Sequence, residues 1–362
     1  MRRVGVLLIG LVALLAACGG AASQSAPARA PSASASPVAA WPIIGHWQPS
    51  ALTRAEPGLV VSELVGTHRS RVVVLGLDDS VKATLWRSSR QIVHFDCDPA
   101  SGEIVATLLG PFEGSGYRYE IVLLSADGTV RRVTSDTALG WEALPSPLVL
   151  ADGSILWQRM GIVNEREVYA AWYAASNGRP QPVRIVGHLP RGFALSSLLP
   201  LTGRRTVALV NVTRTGAVAL ADWSAGQLTV VGKPYVRKFA AWNTDDPPGG
   251  ALASANTLVL QGYAPGGQMR LVRWVDGRPI STVVLSKLPP EPFSGDETPA
   301  SGSGPAGYVL LYGWWPSQVS ASRGTTGPMP LLLVSLHSGA VTRSRIELSQ
   351  PDGLSRTWQW LR

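Results

Sequence analysis

Cysteine and charge are both scarce in this chain of 362 residues. It has two cysteines, Cys18 and Cys97, and only 15% of its residues are charged. Two cysteines cannot supply the dense disulfide framework of a small secreted domain, so stability must come from packing. The positive residues are scattered, as at Arg131-Arg132, and form no basic run. Nucleic-acid binding proteins cluster such residues, so the sequence speaks against a nucleic-acid partner.

Long apolar runs are missing after the N-terminus. The one sustained run, residues 4–17, has 14 residues after Arg2 and Arg3 and ends at Leu15-Ala16-Ala17-Cys18. It is shorter than the roughly 20 residues that cross a bilayer as a helix, but it suits a signal peptide. The segment resembles a bacterial lipobox, in which the cysteine becomes the lipidated N-terminus. The alternative is an ordinary secretion signal in which Cys18 is incidental.

This resemblance implies three segments: a signal peptide at 1–17, the lipidated Cys18 with a disordered tether to residue 40, and a folded domain at 41–362. The tether consists almost wholly of Ala, Ser, Pro and Gly, a composition that cannot bury enough apolar surface to fold. Two or more acyl chains would hold the protein on the membrane. We therefore expect a lipid-anchored protein on the extracytoplasmic side of the cell membrane.

A helical hydrophobic period is also absent, whereas glycine and proline are abundant, with 38 and 28 residues. Turn signals instead recur in two interleaved series, each with a period near 50 residues. The first series is Asp78-Asp79-Ser80, Asp127-Gly128, Asn177-Gly178, Ala225-Gly226, Asp276-Gly277 and Ser338-Gly339. The second is Ser101-Gly102, Asp152-Gly153, Thr202-Gly203, Ala255-Asn256 and Gly304-Pro305.

Two hairpins per period indicate a unit of four antiparallel strands, repeated about six times. Closing such units into a ring hides their edges, so we predict an all-β fold, a β-propeller of six blades. Seven blades, or five with a divergent N-terminal part, remain alternatives. The run 354–361 is the predicted closing strand, and Trp172, Trp223 and Trp274 are predicted to pack between blades. The repeat resembles TolB-like six-bladed propellers by period and turn placement.

In such a propeller the tight hairpins share one face, and the remaining connections share the other. The segments 109–117, 160–166, 240–249, 287–298 and 314–327 are expected to form long loops on that second face, where binding usually resides. Arginine and tryptophan around a cleft suit a carbohydrate or a protein partner. The candidate ligand-binding residues are His68, Arg90, Trp141, His188, Arg191, Trp242, Asp245, Trp314, Trp315 and Arg323.

One strand carries candidate metal ligands. Strict alternation places His94, Asp96 and Asp98 on one face, and Val93, Phe95 and Cys97 on the other. One pair of these ligands could hold a metal with help from another strand, but a polar contact between blades is the alternative. Gly302-Ser303-Gly304-Pro305-Ala306-Gly307 matches a dinucleotide motif by letter, but a strand follows it where the motif needs a helix.

No catalytic motif of a hydrolase, a metalloprotease or a nucleotide-binding protein is present in the sequence. We therefore expect a non-catalytic binding or scaffold module for an envelope protein or a carbohydrate, without a cofactor. The alternative is a propeller enzyme, a hydrolase or lyase acting on glycans through carboxylates of the long-loop face.

Overall fold

The structure is a computed structural model of the chain. Trp41–Arg362 forms one compact unit, separate from Met1–Ala40. The described residues are 47–49, 52, 57–66, 68–113, 116–138, 144–163, 166–175, 178–193, 195–201, 203–211, 217–236, 250–254, 257–263, 269–275, 278–284, 300–303, 305, 307–312, 329–348 and 358–361. Cys18 lies outside them. Among these residues, no helix has the length and apolar character needed to cross a bilayer.

The described strands form six sheets, which we call blades 1 to 6 and give from the innermost strand outward. Blade 1 consists of β25 (Trp358–Leu361), β1 (Gly58–Val65), β2 (Arg69–Leu75) and β3 (Val81–Ser88). Blade 2 consists of β4 (Ile92–Asp98), β5 (Glu103–Glu113), β6 (Gly116–Leu124) and β7 (Val130–Ala138). Blade 3 consists of β8 (Leu148–Val149), β9 (Ile155–Val163), β10 (Arg166–Ala174) and β11 (Gln181–Pro182).

Blades 4 to 6 follow the same order along the chain. Blade 4 consists of β13 (Leu195–Pro200), β14 (Thr206–Asn211), β15 (Ala217–Ser224), β16 (Gln227–Val236) and β12 (Arg184–Val186). Blade 5 consists of β17 (Gly250–Ser254), β18 (Thr257–Tyr263), β19 (Met269–Val275) and β20 (Arg278–Val284). Blade 6 consists of β21 (Ala300–Ser303), β22 (Tyr308–Tyr312), β23 (Met329–Ser335) and β24 (Val341–Leu348).

The innermost strands β25, β4, β8, β13, β17 and β21 contact one another in this order, and β21 contacts β25. The sheets therefore close into a ring, which confirms the predicted β-propeller. The predicted closing strand is also confirmed over its described part. In β25, Leu361 pairs with Gly58 and Trp358 with Val61 of β1, so the two ends of the ring meet within blade 1.

One blade departs from the predicted four strands. Blade 4 has a fifth, β12, which pairs in parallel with the outer strand β16, and the Arg184 N–H donates to the Gly226 carbonyl at 3.1 Å. The cause lies in blade 3, whose outer strand β11 has only two residues. After it the chain crosses to the edge of the next blade before turning inward. A turn-based prediction counts hairpins, and this crossing contains none.

The core consists of apolar layers between neighbouring blades. In β2, Val72 and Val74 pack with residues of blade 2, whereas Val73 and Leu75 pack with residues of blade 6. All four side chains are buried, because both faces of the sheet are covered. Continuous runs of β-branched residues are therefore favoured in these strands, as in other sheets that are buried on both sides.

The short turns gather at one end of the ring, which we call the hairpin end. The predicted turns fall there between strands, with Gly102 between β4 and β5 at φ 74° and Gly128 between β6 and β7 at φ 87°. The connections at this end have two to six residues. The opposite end, the loop end, carries every strand-to-strand connection longer than six residues, up to the 16 between β22 and β23.

Two predicted long loops are strand instead. β5 continues to Glu113 and β6 begins at Gly116, so most of segment 109–117 belongs to the ladder, with Phe112 opposite Tyr117. In the same way, β9 and β10 pair as far as Val163 and Arg166. Glycine interrupts both segments, which concealed their strand pattern, but a register shift between Leu109 and Phe112 lets the pairing continue.

Candidate functional site

Three of the predicted loop-end residues are exposed on described connections. His68 lies between β1 and β2, and His188 and Arg191 lie between β12 and β13. These positions place ionisable side chains from blades 1 and 4 at the loop end of the ring. Six other predicted residues fall outside the described residues: Trp141, Trp242, Asp245, Trp314, Trp315 and Arg323.

Arg90, the tenth loop-end candidate, is held within blade 2. Its Nη1 lies 2.9 Å from Glu120 Oε2, and its Nε donates to the Leu109 carbonyl at 3.0 Å. The side chain is 18% exposed, and Glu120 also pairs with Arg132 at 3.2 Å. Glycine at position 110 leaves room for it, because a Cβ there would lie 3.0 Å from the Arg118 carbonyl oxygen and 3.2 Å from Arg90 Nη2. Arg90 thus bonds the connection between β3 and β4 to β5, and the Glu120 carboxylate largely neutralises its charge.

At the hairpin end, the carboxylates of Asp96 and Asp98 meet the guanidinium of Arg204. Arg204 Nη1 donates to Asp96 Oδ2 at 2.5 Å and Nη2 to Asp96 Oδ1 at 3.1 Å, while Nε lies 3.3 Å from Asp98 Oδ1. The remaining donors reach the carbonyls of Val149, at 2.8 Å, and Cys97, at 2.6 Å. All five N–H groups of the arginine therefore have a partner.

This cluster joins three blades. Asp96 and Asp98 end β4 in blade 2, Val149 belongs to β8 in blade 3, and Arg204 lies on the turn between β13 and β14 in blade 4. Asp96 also accepts a hydrogen bond from the Val149 backbone N–H at 2.9 Å. These bonds hold the ends of β4 and β8 against the β13–β14 turn. We call the cluster the interblade clamp, and it corresponds to the polar blade contact that was the alternative to a metal site.

Arg204 was missed by the sequence analysis. It sits at φ 51°, a left-handed conformation that costs a non-glycine residue about 1 kcal/mol. The corresponding turns of blades 2 and 3 continue after their glycine with Glu103 and Ser154. A long cationic residue in this position was the available signal, because it can reach carboxylates on a neighbouring blade.

His94 does not join the two aspartates. A register shift between Ile92 and His94 breaks the alternation of β4, so Val93 packs toward blade 3 while Phe95 and Cys97 pack toward blade 1. The expectation that Val93, Phe95 and Cys97 share one face is therefore wrong. Desolvation lowers the pKa of His94 to about 4, so the imidazole is neutral at pH 7. Within the described part of the chain, no three His, Cys, Asp or Glu side chains are placed to hold a metal ion.

Two further groups at the hairpin end are structural. Cys97 is fully buried, and burial raises the pKa of its thiol far above the usual range, so the thiolate is suppressed. Trp223 packs between blades as predicted: its indole N–H donates to Asp152 Oδ2 at 2.8 Å, and its ring meets Tyr173 edge-on at 5.2 Å. For Trp274, the structure describes only the strand, β19.

Trp172 also packs as predicted, against the apolar layer between blades 2 and 3. The guanidinium of Arg159 lies 5.2 Å from the centre of its ring, and the same arginine pairs with Asp136 of blade 2. Arg159 therefore makes both a cation–π contact and an ion pair within the seam between blades 2 and 3.

Comparison with known proteins gives structural likeness without a family. No protein-family model and no curated protein matches the chain. Solved structures that resemble it include a candidate 6-phosphogluconolactonase of Bacteroides fragilis, with TM-score 0.47, 10% identity and coverage of 86% of this chain and 99% of the other. An uncharacterized protein of Listeria monocytogenes gives 0.46 and 9%, with coverage of 86% and 85%.

A gluconolactonase of Xanthomonas campestris gives TM-score 0.41 and 15% identity, with coverage of 81% of this chain and 94% of the other. Because these scores and identities are low, the fold assignment rests on the strand pairing and ring closure described above.

Proposed function

We propose that this protein is an extracytoplasmic lipoprotein, anchored through Cys18, whose TolB-like propeller is a non-catalytic binding module. Its ligand is a carbohydrate or a protein of the cell envelope, and it docks at the loop end. The observation that carries this proposal is the difference between the two ends of the ring. The connections at one end have two to six residues, whereas every connection longer than six residues lies at the other end.

Several polar side chains of the hairpin end are bonded within the ring or within their own turns. The guanidinium of Arg204 is bonded within the interblade clamp, and Asp152 accepts a hydrogen bond from the Trp223 indole. Asp78 and Asp127 accept hydrogen bonds from the Ser80 and Thr129 hydroxyls of their own turns, and these bonds lower the pKa of both carboxyls. These aspartates shape turns, as short polar side chains do.

The loop end offers exposed polar groups on a rigid support. His68, His188 and Arg191 are exposed there, and the long connections carry the tryptophans and arginine that favour recognition. A ring held by apolar layers and by the interblade clamp keeps such groups in place without paying to order them on binding. This arrangement favours recognition of a polar envelope component.

The anchor is tested by metabolic labelling of cells with an alkyne analogue of palmitate. We expect the full-length chain to take up label and to sediment with membranes. Cys18→Ser abolishes both, whereas Cys97→Ser, the matched cysteine control, keeps both because Cys97 is buried. Undiminished labelling of Cys18→Ser would contradict the anchor and would leave the binding proposal to be judged separately.

Binding is tested with two probes, purified cell-wall polysaccharide and whole envelopes treated with a cross-linker. The variant is His188→Ala/Arg191→Ala at the loop end, and the matched control is Lys82→Ala/Arg205→Ala at the hairpin end. We expect the loop-end variant to lose about tenfold or more in affinity for one probe, as happens when anchoring side chains are removed. Equal binding by both variants and the unaltered chain would contradict the loop end as the site.

The non-catalytic part has its own test. The purified chain is incubated with a sugar lactone, such as gluconolactone, and separately with cell-wall polysaccharide. Rates equal to the buffer rate are expected for both substrates. A rate above buffer that His188→Ala/Arg191→Ala removes would replace the binding module with an enzyme at the same end.

A further inference from the structure

Three exposed apolar side chains stand at the hairpin end of blades 1 and 6. Leu77 lies on the β2–β3 turn, Val81 begins β3 and Tyr308 begins β22, and they are 44%, 47% and 40% exposed. In the described part of the chain, the only other large apolar side chain of such exposure is Val231, in the middle of β16. We call Leu77, Val81 and Tyr308 the hairpin-end patch.

The hairpin-end patch continues a buried layer out of the ring. Leu75 and Leu310 are buried in the apolar layer between blades 1 and 6. Val81 pairs with Leu75, and Leu77 follows Leu75 by two residues. Tyr308 precedes Leu310 by two residues in β22, so these two side chains share a face. The apolar surface of this seam is therefore covered inside the ring and open to solvent at its hairpin end.

Polar groups border the hairpin-end patch. Asp78 and Asp79 follow Leu77 in its turn, and Lys82 follows Val81. Lys82 Nζ lies 3.9 Å from Asp78 Oδ2. An apolar patch with a polar border is typical of a surface that contacts a protein or a membrane. These three charges sum to −1, so attraction must come from the apolar side chains and not from a pull on anionic lipid.

The chain enters the ring beside this patch. β1 begins at the hairpin end with Gly58, where a Cβ would lie 2.6 Å from the Leu75 carbonyl oxygen. Trp47, the first residue of the described part, donates its indole N–H to the Ser125 carbonyl, in the β6–β7 turn of the same end, at 2.8 Å. From Cys18 to Trp47 the chain has 29 residue steps, which span at most about 100 Å. A lipid on Cys18 would therefore be joined to the ring at the end that carries the patch.

We propose that the hairpin-end patch docks on the lipid bilayer that holds the anchor, with its side chains among the headgroups. The proposal depends on the proposed function for the anchor at Cys18. A bilayer fits because it is broad, so side chains from two blades can meet it together without forming a pocket. Tyrosine is favoured at a membrane interface, where its ring is apolar and its hydroxyl stays hydrated, and leucine and valine bury apolar area there. The docked ring directs its loop end away from the membrane, toward the envelope ligand.

Fluorescence quenching by lipids tests this docking. A fluorophore is attached to Leu77→Cys in the full chain on phosphatidylcholine vesicles whose headgroups carry a quencher. Cys18 carries the lipid and Cys97 is buried, so neither takes the fluorophore. The matched control is the same fluorophore on Val231→Cys, an exposed apolar position outside the patch. We expect quenching at Leu77→Cys to be about threefold stronger or more, because a docked side chain lies in the headgroup layer.

Removing the other two patch side chains gives a second measurement with the fluorophore at position 77. Val81→Ser/Tyr308→Ser should lower the ratio of docked to undocked chain about tenfold or more, because burying the exposed part of each side chain contributes about threefold or more. Val231→Ser, the matched surface control, should leave this ratio within about twofold. All three positions are exposed, so these changes should not unfold the ring.

Equal quenching at Leu77→Cys and Val231→Cys, or an unchanged ratio in Val81→Ser/Tyr308→Ser, would overturn the docking. Dimers of a Cys18→Ser chain in solution that Val81→Ser/Tyr308→Ser dissociates would give the patch to a second copy instead. Palmitate labelling judges the anchor separately. Should Cys18 take no palmitate, the same quenching measurement on a Cys18→Ser chain, held to the vesicles by a histidine tag in its tether and a nickel-chelating lipid, still decides the patch.

Discussion

Replacing Arg204 with alanine removes the cation from the interblade clamp while leaving its two aspartates in place. Their side chains are only 7% and 12% exposed, so each would remain as a buried charge without its partner. Breaking a buried ion pair from one side typically costs 3–5 kcal/mol. Alanine keeps the left-handed strain at this position, so no relief from the backbone offsets the loss.

Water moderates this cost, because the clamp lies at the end of the ring rather than at its centre. The Ala100 and Ser101 N–H groups also continue to donate to Asp98, both at 3.2 Å. We therefore expect Arg204→Ala to lower the free energy of unfolding by about 3 kcal/mol, at the lower end of that range. This is a large part of the 5–15 kcal/mol that stabilises most domains.

Urea denaturation followed by tryptophan fluorescence measures this loss. Arg205→Ala is the matched control: Arg205 is the next residue and is exposed, so it should change stability by less than about 0.5 kcal/mol. Arg204→Ala/Asp96→Asn should cost less than the sum of the single variants, because one interaction is removed twice. A loss below about 1 kcal/mol, or additive costs, would refute the clamp.

Other predictions follow from burial and backbone geometry. Cys97 should not react with a thiol reagent at pH 8 until urea unfolds the chain; reaction at the rate of a free thiol in the native state would contradict its burial. Gly226→Ala should cost at least about 2 kcal/mol more than Gly128→Ala in urea denaturation. Both positions have φ near +90°, but a Cβ at 226 would lie 2.6 Å from the Tyr173 hydroxyl, and at 128 it meets nothing. The lowered pKa of His94 means that the unfolded chain protonates first. Stability is therefore complete above about pH 6.5 and falls by up to about 3 kcal/mol as the pH drops toward 4, and His94→Gln should reduce this slope.

Repeating signals made the ring predictable from the sequence. The turns Ser101-Gly102 and Asp127-Gly128 mark both hairpins of blade 2, and the structure places them between β4 and β5 and between β6 and β7. The closing strand was equally accessible, because an apolar run after the last repeat has no other partner. These features depend on local chemistry: residues that tolerate positive φ, and apolar runs between them.

Contacts between distant segments were not predictable in the same way. Arg204 meets Asp96 across 108 residues, and β12 pairs with the edge of a blade built from later residues. Neither contact leaves a local pattern. The alternation rule failed on β4 because one bulge reverses the faces that follow it. Of the candidate binding residues, Arg90 showed its ion pair only once β6 had placed Glu120 beside it.

Cysteine cross-linking of β25 to β1 tests most directly that the chain closes into a ring. Val60 and Gln359 are opposite each other in this antiparallel pair, where Cα atoms lie about 4.5–5.5 Å apart, within disulfide range. In a Cys18→Ser/Cys97→Ser background, we predict that Val60→Cys/Gln359→Cys oxidises to a form that migrates faster without reductant. Ser62→Cys/Gln359→Cys, offset by two residues, should stay reduced. No cross-link, or equal cross-linking of both pairs, would contradict the closed propeller.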